Sequence, residues 1–392
     1  MKHSLEVADI FRAFGPAYRE AHEMPVRHLR VMRAVEICRT AELGGHLDQC
    51  DHCGAVRISY NSCRNRHCPK CQSLDKERWL EAREKELLPT SYFHVVFTLP
   101  EALRPLALRN QKVLYSLLFK AASETLNELA KDSKHLGAEI GFMAILHTWS
   151  QTLIDHPHLH CLVTGGGLSL DGKHWICSRK DFFISVNVLS SLFRGKFLDG
   201  LKKLYEAGEL KFPGQIEKLK ESSAFKRFLT NLYHQEWVVD CRPPLKNPEK
   251  VMDYLGRYTH RVALSNDRLV KLEGNQVTFR WRDSADNNKI KLLPLEAFEF
   301  IRRFLLHVLP DQFVKIRYYG ILSHRSRKGK LLRCKKLLGV STREQSKDSP
   351  KESWQDLLTR ITGIDPRVCP HCGKGEMIQK EILLPRHNGR PP

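Results

Sequence analysis

Apolar residues follow helical spacing in some segments of the chain and form short continuous runs in others. Helical spacing predicts helices over residues 1 to about 35, residues 73–88 and about 101–133. Two apolar runs, 91–99 and 141–153, lack that spacing and indicate buried strands. Pro89 stops the second helix and Pro100 ends the first strand.

The second half of the chain is also mixed. Residues 187–236 have helical spacing, whereas 236–244 are typical of a strand. Asn247 is a good helix N-cap and Pro248 suits the first helical position, so a helix should begin there. A β-hairpin across residues 274–275, a helix over 294–310 and a polar linker over 340–353 complete the prediction.

The chain carries a large excess of positive charge. Its 392 residues have a formal charge of +20 and an isoelectric point near 9.5. Such an excess favours a polyanionic partner, foremost a nucleic acid, because neutralised phosphates release counterions. No signal-peptide pattern and no apolar run of about 18 residues is seen, so we expect no membrane segment and a cytoplasmic protein.

Cysteines are concentrated in C-x-x-C pairs, the arrangement that directs two thiolates toward one metal ion. The spacing C-x2-C-x14-C-x2-C predicts one structural zinc site of four cysteines, namely Cys50, Cys53, Cys68 and Cys71. Cys38 and Cys63 could replace one of these ligands or help to build a second site. Arg64 and Arg66 lie on the predicted zinc loops and suit phosphate contact.

Cys369 and Cys372 form a further C-x-x-C pair near the end of the sequence. Two thiolates are only half of a tetrahedral zinc site. The pair is therefore either a degenerate knuckle or half of a metal site, and the sequence leaves both readings open.

Three histidines, His156, His158 and His160, occupy alternate positions of an apolar run. On a strand all three would share one face, where two or three imidazoles can hold a divalent ion. The stretch HPHLHCLV also fits the histidine-triad pattern of nucleotide hydrolases, although Pro157, the chain length and the cysteines argue against that class. Other isolated histidines should be structural: His94, His147 and His174.

Two tyrosines, Tyr254 and Tyr258, lie four residues apart on the helix that begins at Pro248, so they share a face. Both rings could simply be core residues, together with Val251 and Leu255. The alternative is catalytic, because tyrosine is a covalent nucleophile and nearby cations would suit a phosphate. Those cations are Arg257, His260 and Arg261.

Several stretches together resemble the HUH-type, tandem-tyrosine rolling-circle transposases of bacterial insertion sequences, the IS ninety-one group. The stretches lie within residues 59–325 and are SYNSCRNRHCPKCQ, FHVVFTLP, HTWSQTLIDHPHLHCLVTGGGLS, YLGRYTHRVALSN and IRYYGILSHR. The resemblance implies an α+β fold, with a zinc-ribbon-like module followed by an HUH-endonuclease domain whose central antiparallel sheet is flanked by helices.

The resemblance also implies a site. His158 and His160 would bind Mg2+ or Mn2+, with His156 or Gln151 as a third ligand, and Tyr254 and Tyr258 would be the nucleophiles. The partners would be single-stranded DNA at the element ends and target DNA, with host replication factors as further candidates. The Lys- and Arg-rich stretch 315–336, which includes Arg317, is a candidate DNA-binding segment.

The expected organisation has three parts. They are a helical and zinc-binding region at 1–88, a catalytic domain at 89–310 with a helical insertion at about 187–236, and a basic tail at 311–392. A non-catalytic zinc-containing DNA-binding protein would also account for the charge and the cysteines. Metal-dependent nicking of an oligonucleotide separates these two classes.

Overall fold

The computed structural model describes residues 4–71, 73–259, 262–340 and 352–386. Its largest sheet has the strand order β11-β4-β5-β3-β7, with β6 paired to β5, and every neighbouring pair is antiparallel. These strands are β3 (Tyr92–Thr98), β4 (Ala138–Trp149), β5 (Asp155–Ser169), β6 (Trp175–Cys177), β7 (Val239–Leu245) and β11 (Ile316–Gly320). The central antiparallel sheet of an α+β fold is therefore confirmed.

One face of this sheet is apolar and covered by long helices. Alternate residues of β5, including Leu159, Cys161 and Val163, are fully buried on that face. They pack with Phe93 and Phe97 of β3 against a helical layer. The layer consists of α4 (Arg104–Arg109), α5 (Gln111–Lys131), α6 (Val186–Glu206) and α7 (Ser222–His234). The helical insertion predicted at 187–236 corresponds to α6 and α7.

The opposite face of the sheet has a smaller cover. The helices α3 (Ser73–Glu84) and α8 (Pro248–Tyr258) pack against each other there, with Met143, Ile145 and Leu162 beneath them. Because β5 alternates its side chains, the residues of even number, including His158 and His160, lie on this face. The predicted helix start at Pro248 is confirmed.

A second core joins the N-terminal helices to a peripheral sheet. α1 (Val7–Ala21) and α2 (Val26–Ile37) pack with α9 (Ala297–Leu306), burying Phe11, Phe300 and Phe304. The sheet has the order β10-β9-β8, built from β8 (Leu269–Glu273), β9 (Gln276–Asp283) and β10 (Lys289–Glu296). The hairpin predicted across residues 274–275 is its β8–β9 pair.

The described residues beyond 310 do not form a separate tail, contrary to the boundary expected at that residue. β11 is an edge strand of the central sheet. β12 (Met377–Leu383) pairs with β1 (Gly45–Cys50), which also pairs with β2 (Val56–Tyr60). α10 (Arg327–Leu337) and α11 (Trp354–Thr362) lie between them in sequence. Most of the predicted linker, 341–351, lies outside the described residues.

Candidate active site

Strand register brings four histidines together on the face of the central sheet that α8 covers. His147 on β4 stands directly opposite His158 on β5, and His94 on β3 stands opposite Leu162, diagonal to His160. The Nε2 atoms of His158 and His160 are 3.0 Å apart, and His94 Nε2 is 2.9 Å from His160 Nδ1. The sequence suggested that His94 and His147 are isolated structural residues. In the structure, both lie beside the histidines of β5.

Hydrogen bonds to backbone carbonyls orient two of these rings. His158 Nδ1 donates to the carbonyl oxygen of His156 at 2.6 Å, which leaves its Nε2 lone pair free to bind a metal. His147 Nε2 donates to the carbonyl oxygen of Tyr258 at 2.7 Å, so this tautomer carries the ring lone pair on Nδ1. The last residue of α8 is thus tied directly to a potential metal ligand.

Burial favours the neutral, metal-binding form of the imidazoles. It lowers the pKa of His158 and of His94 to about 4, and it holds the pKa of His160 well below its ordinary value. In the case of His94, the neighbouring Arg242 adds to the effect of burial. Neutral imidazoles keep the lone pairs that a divalent ion requires.

The spacing of three of the histidines fits one ion. Ligand nitrogens of His147, His158 and His160 all lie within 4.8 Å of one another. Two nitrogens bound to one ion at about 2.1 Å, at a right angle, are about 3.0 Å apart. The observed distance of 3.0 Å between His158 and His160 matches that value. The residues present therefore fit a divalent cation.

The expected third ligands do not join this group. Gln151 lies in the loop between β4 and β5, where its backbone carbonyl accepts a hydrogen bond from Arg268. The His156 ring is 5.1 Å from the His158 ring and lies outside the three-histidine group. The third histidine of the group is His147. The sequence held a signal for it, because a hairpin turning at Ser150–Ile154 pairs residue 147 with residue 158.

Both tyrosines of α8 face the histidines, and they lie on one face of the helix, as their spacing predicted. The Tyr258 ring centroid is 4.2 Å from that of His160 and 5.6 Å from those of His94 and His147. The Tyr254 ring is 4.6 Å from His94 and 4.5 Å from Tyr258. Tyr258 is half-buried, whereas Tyr254 is only 7% exposed.

The Tyr254 hydroxyl is buried without a hydrogen-bond partner among the described residues. Burial raises its pKa well above the ordinary value, the nearby Tyr258 raises it further, and Arg242 lowers it. A buried polar atom without a partner is uncommon and costs free energy, so its position calls for a functional explanation.

Arg242 on β7 is a neighbour of the site that the sequence did not single out. It stands opposite His94 in the β3–β7 register, and its guanidinium bonds Asp240 at 2.9 Å. The side chain is exposed and interacts electrostatically with both Tyr254 and Tyr258. A cation beside two phenols suits a bound phosphate.

The arginines expected to contact DNA have different environments. Arg64 and Arg257 are exposed. Arg66 donates to the carbonyls of Phe313 and Pro310 at 2.6 and 3.0 Å, and the Arg317 guanidinium lies 4.1 Å from the Phe119 ring centroid. The side chains of those two arginines are therefore held by contacts within the protein. Arg261 lies outside the described residues.

Two cavities lined by arginines lie beside each other near the N-terminal helices. They have volumes of about 720 and 710 Å³ and share Arg27. The first is also lined by Arg104, Arg109, Arg302 and Arg303, and the second by Arg30, Arg64 and Arg66. Asp155, at the start of the strand that carries His158, lines the first cavity.

The cysteines form two clusters, so the single site expected from Cys50, Cys53, Cys68 and Cys71 is wrong. Cys38, Cys63, Cys68 and Cys71 compose the first cluster, and Cys50, Cys53, Cys369 and Cys372 compose the second. The two clusters lie at opposite ends of the β1–β2 hairpin, whose strands extend about 17 Å. A strand of that length cannot bring the pairs at its two ends to one ion.

The comparisons with known proteins agree with this architecture. Residues 10–99 match the family described as "Transposase zinc-binding domain", and residues 141–330 match the family described as "Putative transposase". The first match supports structural zinc in the N-terminal region. Among the described residues, no helix has the length and apolar character needed to cross a bilayer.

Two curated relatives are transposases by name. The chain is 53% identical over 379 residues to "Putative transposase y4qJ" of Sinorhizobium fredii, an alignment that covers 96% of this chain and 95% of the relative. It is 27% identical over 339 residues to the transposase for insertion sequence element IS801 of Pseudomonas savastanoi pv. phaseolicola, covering 86% and 79%. No solved structure matches the chain significantly.

Fold, zinc-binding domain and relatives together define a class, the transposases of insertion sequences. The chain belongs to the tandem-tyrosine family that its sequence motifs resemble, the IS ninety-one group.

Proposed function

We propose that this transposase nicks and rejoins single-stranded DNA at the ends of its element through 5′-phosphotyrosine intermediates, as rolling-circle transposition requires. The observation that carries the proposal is the packing of both tyrosine rings of α8 against the histidines of the central sheet. A nucleophile and a metal site must lie this close together to act on one phosphodiester.

His147, His158 and His160 would hold the divalent ion. When bound, Mg2+ or Mn2+ would polarise the scissile phosphate and offset charge in the transition state. An all-imidazole set favours Mn2+ over Mg2+, because Mg2+ prefers oxygen ligands. His94 Nε2 would accept a hydrogen bond from the protonated Nδ1 of His160, so the Nε2 lone pair of His160 would point toward the ion.

Tyr258 is the better candidate for the first attack, since it contacts three of the histidines and is the more accessible tyrosine. Its phenolic oxygen would bond to phosphorus while the bond from phosphorus to the 3′ oxygen breaks. The phenol releases its proton to solvent, the leaving 3′ oxygen takes up a proton in turn, and the ester conserves the energy of the broken bond. Arg242 would hold the phosphate beside both phenols.

Tyr254 would then serve the second strand. With one cut end held on Tyr258, the second phenol can cut another strand without release of the first. Strand transfer is the reverse reaction, in which a free 3′-hydroxyl attacks the phosphotyrosine ester. No nucleotide cofactor is needed, because every broken phosphodiester is stored as an ester.

The Arg-lined cavities beside α1 and α2 would guide the DNA. Arg30, Arg64 and Arg109 line these cavities and are exposed. Arg66, in contrast, is held by hydrogen bonds to backbone carbonyls. Their charge supports contact with single-stranded DNA at the element ends and with target DNA. Such a protein would work in the bacterial cytoplasm at the nucleoid, where host replication factors could supply the single strand.

Mass mapping of the covalent adduct tests this function. The full chain is incubated with single-stranded terminal DNA and Mn2+, and the expected adduct lies on Tyr258 or Tyr254. The double variant Tyr254→Phe/Tyr258→Phe should form none, while Tyr233→Phe, which changes an exposed tyrosine on α7, should react normally. An adduct in the double variant would refute the tyrosine chemistry; metal-independent nicking would refute the role of the ion.

A further inference from the structure

We propose that Cys50, Cys53, Cys369 and Cys372 bind a second zinc ion, which joins the β1–β2 hairpin to the C-terminal segment that contains β12. Cys50 Sγ lies 3.8 Å from Cys372 Sγ, and Cys53 Sγ lies 3.7 Å from Cys369 Sγ. A tetrahedral site with Zn–S bonds of about 2.3 Å spaces its sulfurs about 3.8 Å apart. The distances exclude disulfides, whose sulfurs are about 2.05 Å apart.

The backbone of both pairs has the form of a zinc knuckle. Each pair is a C-x-x-C followed by glycine, and Gly54 and Gly373 have positive φ angles of 70° and 67°. The backbone N–H of Gly54 donates to the carbonyl oxygen of Cys50 at 3.1 Å, and that of Gly373 donates to the carbonyl oxygen of Cys369 at 2.9 Å, which is the equivalent bond. Two chain segments have therefore folded alike around one point.

Gly375 shows how closely the two knuckles approach. A Cβ atom at this position would lie 2.4 Å from Cys50 Sγ, which is too close for any residue other than glycine. The neighbouring residue Glu376 donates its backbone N–H to Asp51 at 2.8 Å, and β12 continues from there along β1. The contact between the segments is thus built by backbone and sulfur together.

The second site is divided between the ends of the sequence. Cys53 and Cys369 are 316 residues apart, and the region that matches the zinc-binding family, 10–99, contains only half of the ligands. Neither half can bind zinc tightly alone, so the free energy of metal binding would hold the C-terminal segment on the N-terminal hairpin.

The C-terminal segment also contributes to a groove beside the tyrosine helix α8. α11, which precedes the second knuckle, contacts α3, and its Arg360 bonds Glu81 there. α3 in turn packs on α8. Arg360 and Arg257 line the same cavity of about 1240 Å³. The second zinc would therefore fix one wall of the groove next to Tyr254 and Tyr258.

Metal analysis of the purified full-length protein tests the site directly. We expect two zinc ions per chain in the unaltered protein and one in Cys369→Ser/Cys372→Ser. The matched control Cys177→Ser changes an exposed cysteine outside both clusters and should retain two. One zinc in the unaltered protein, or two in the double variant, would overturn the proposal. The circular dichroism spectrum of each variant shows whether it has folded.

A second measurement tests the joining role without depending on the total zinc content. A protease site inserted between residues 346 and 347 allows the chain to be cut after folding. The C-terminal fragment should remain bound to the rest of the protein in gel filtration, and it should separate when Cys369→Ser/Cys372→Ser is present. Equal retention with and without the two cysteines would show that zinc does not hold the segment.

Discussion

At the residue scale, the site depends on side chains that are costly to fold. Four imidazoles and the two phenols of α8 lie together on one face of the central sheet. Burial there disfavours the charged forms of three of the imidazoles and of Tyr254. The Tyr254 hydroxyl has no hydrogen-bond partner among the described residues. His147 donates a hydrogen bond to the backbone carbonyl of Tyr258, at the end of the tyrosine helix. These features suit the binding of a metal ion and a phosphate, and they do not increase the stability of the fold.

Removal of a ligand should weaken metal binding strongly. His147→Ala removes one of three nitrogens, so Mn2+ affinity should fall by more than about 100-fold, since loss of outer-shell partners alone costs roughly 10–100-fold. Isothermal titration with Mn2+ measures the change. His174→Ala, at an exposed position, should bind Mn2+ normally. Unchanged affinity in His147→Ala would remove it from the site.

Tyr254→Phe should stabilise the fold while it impairs strand transfer. The change removes a buried hydroxyl that lacks a partner, so the free energy of unfolding should rise by about 1 kcal/mol. Urea denaturation of the variant beside the unaltered protein gives the difference. Tyr258→Phe, at a half-buried ring, should show a smaller gain. A loss of stability in Tyr254→Phe would mean that its hydroxyl is satisfied.

At the element scale, antiparallel register assembles the site. The β4–β5 hairpin sets His147 against His158, the β3–β5 pair sets His94 beside His160, and the β3–β7 pair adds Arg242. α8 then places its two tyrosines over the result. Each strand contributes one or two groups, so the chemistry arises from the pairing and not from any single strand.

The strand position of Arg242 makes it testable apart from the metal. Arg242→Gln should slow adduct formation by about 100-fold, in line with loss of one preorganised donor to a developing oxyanion, while Mn2+ affinity stays unchanged. Single-turnover adduct assays measure the rate. Arg280→Gln, an equal charge change at an exposed position on β9, serves as the control. A normal rate in Arg242→Gln would exclude a role for it at the phosphate.

At the scale of the whole molecule, two cysteine clusters and two Arg-lined cavities accompany the central sheet. The first cluster ties α2 to the base of the β1–β2 hairpin, and the second lies at its tip with the C-terminal segment. The formal charge of +20 includes the arginines of both cavities near α1 and α2. Binding should therefore be strongly dependent on salt.

The salt dependence locates the DNA surface. Arg30→Gln/Arg64→Gln/Arg109→Gln should reduce the slope of log affinity against log salt by about 2, given about 0.7 per phosphate contact on single strands. Fluorescence anisotropy over a salt series measures it. Lys202→Gln/Lys203→Gln/Lys226→Gln changes the same charge at exposed positions away from both cavities and should leave the slope unaltered. Equal slopes in both triple variants would move the DNA elsewhere.

Local patterns in the sequence predicted the parts but not their partners. The start of α8, the common face of Tyr254 and Tyr258, and the strand bearing His158 and His160 all follow from short-range spacing. The missed partners, including His94, His147 and Arg242, come from other strands, and strand order is a property of the tertiary fold. The pairing of Cys50 and Cys53 with residues 322 and 316 positions away lies equally beyond local spacing.

Anomalous scattering from a Mn2+-soaked crystal would show where the metal ion binds. One manganese peak is expected, bonded to His147 Nδ1, His158 Nε2 and His160 Nε2, on the side of the sheet that Tyr258 faces. A peak held by other residues, or no peak at intact and ordered histidines, would contradict this expectation.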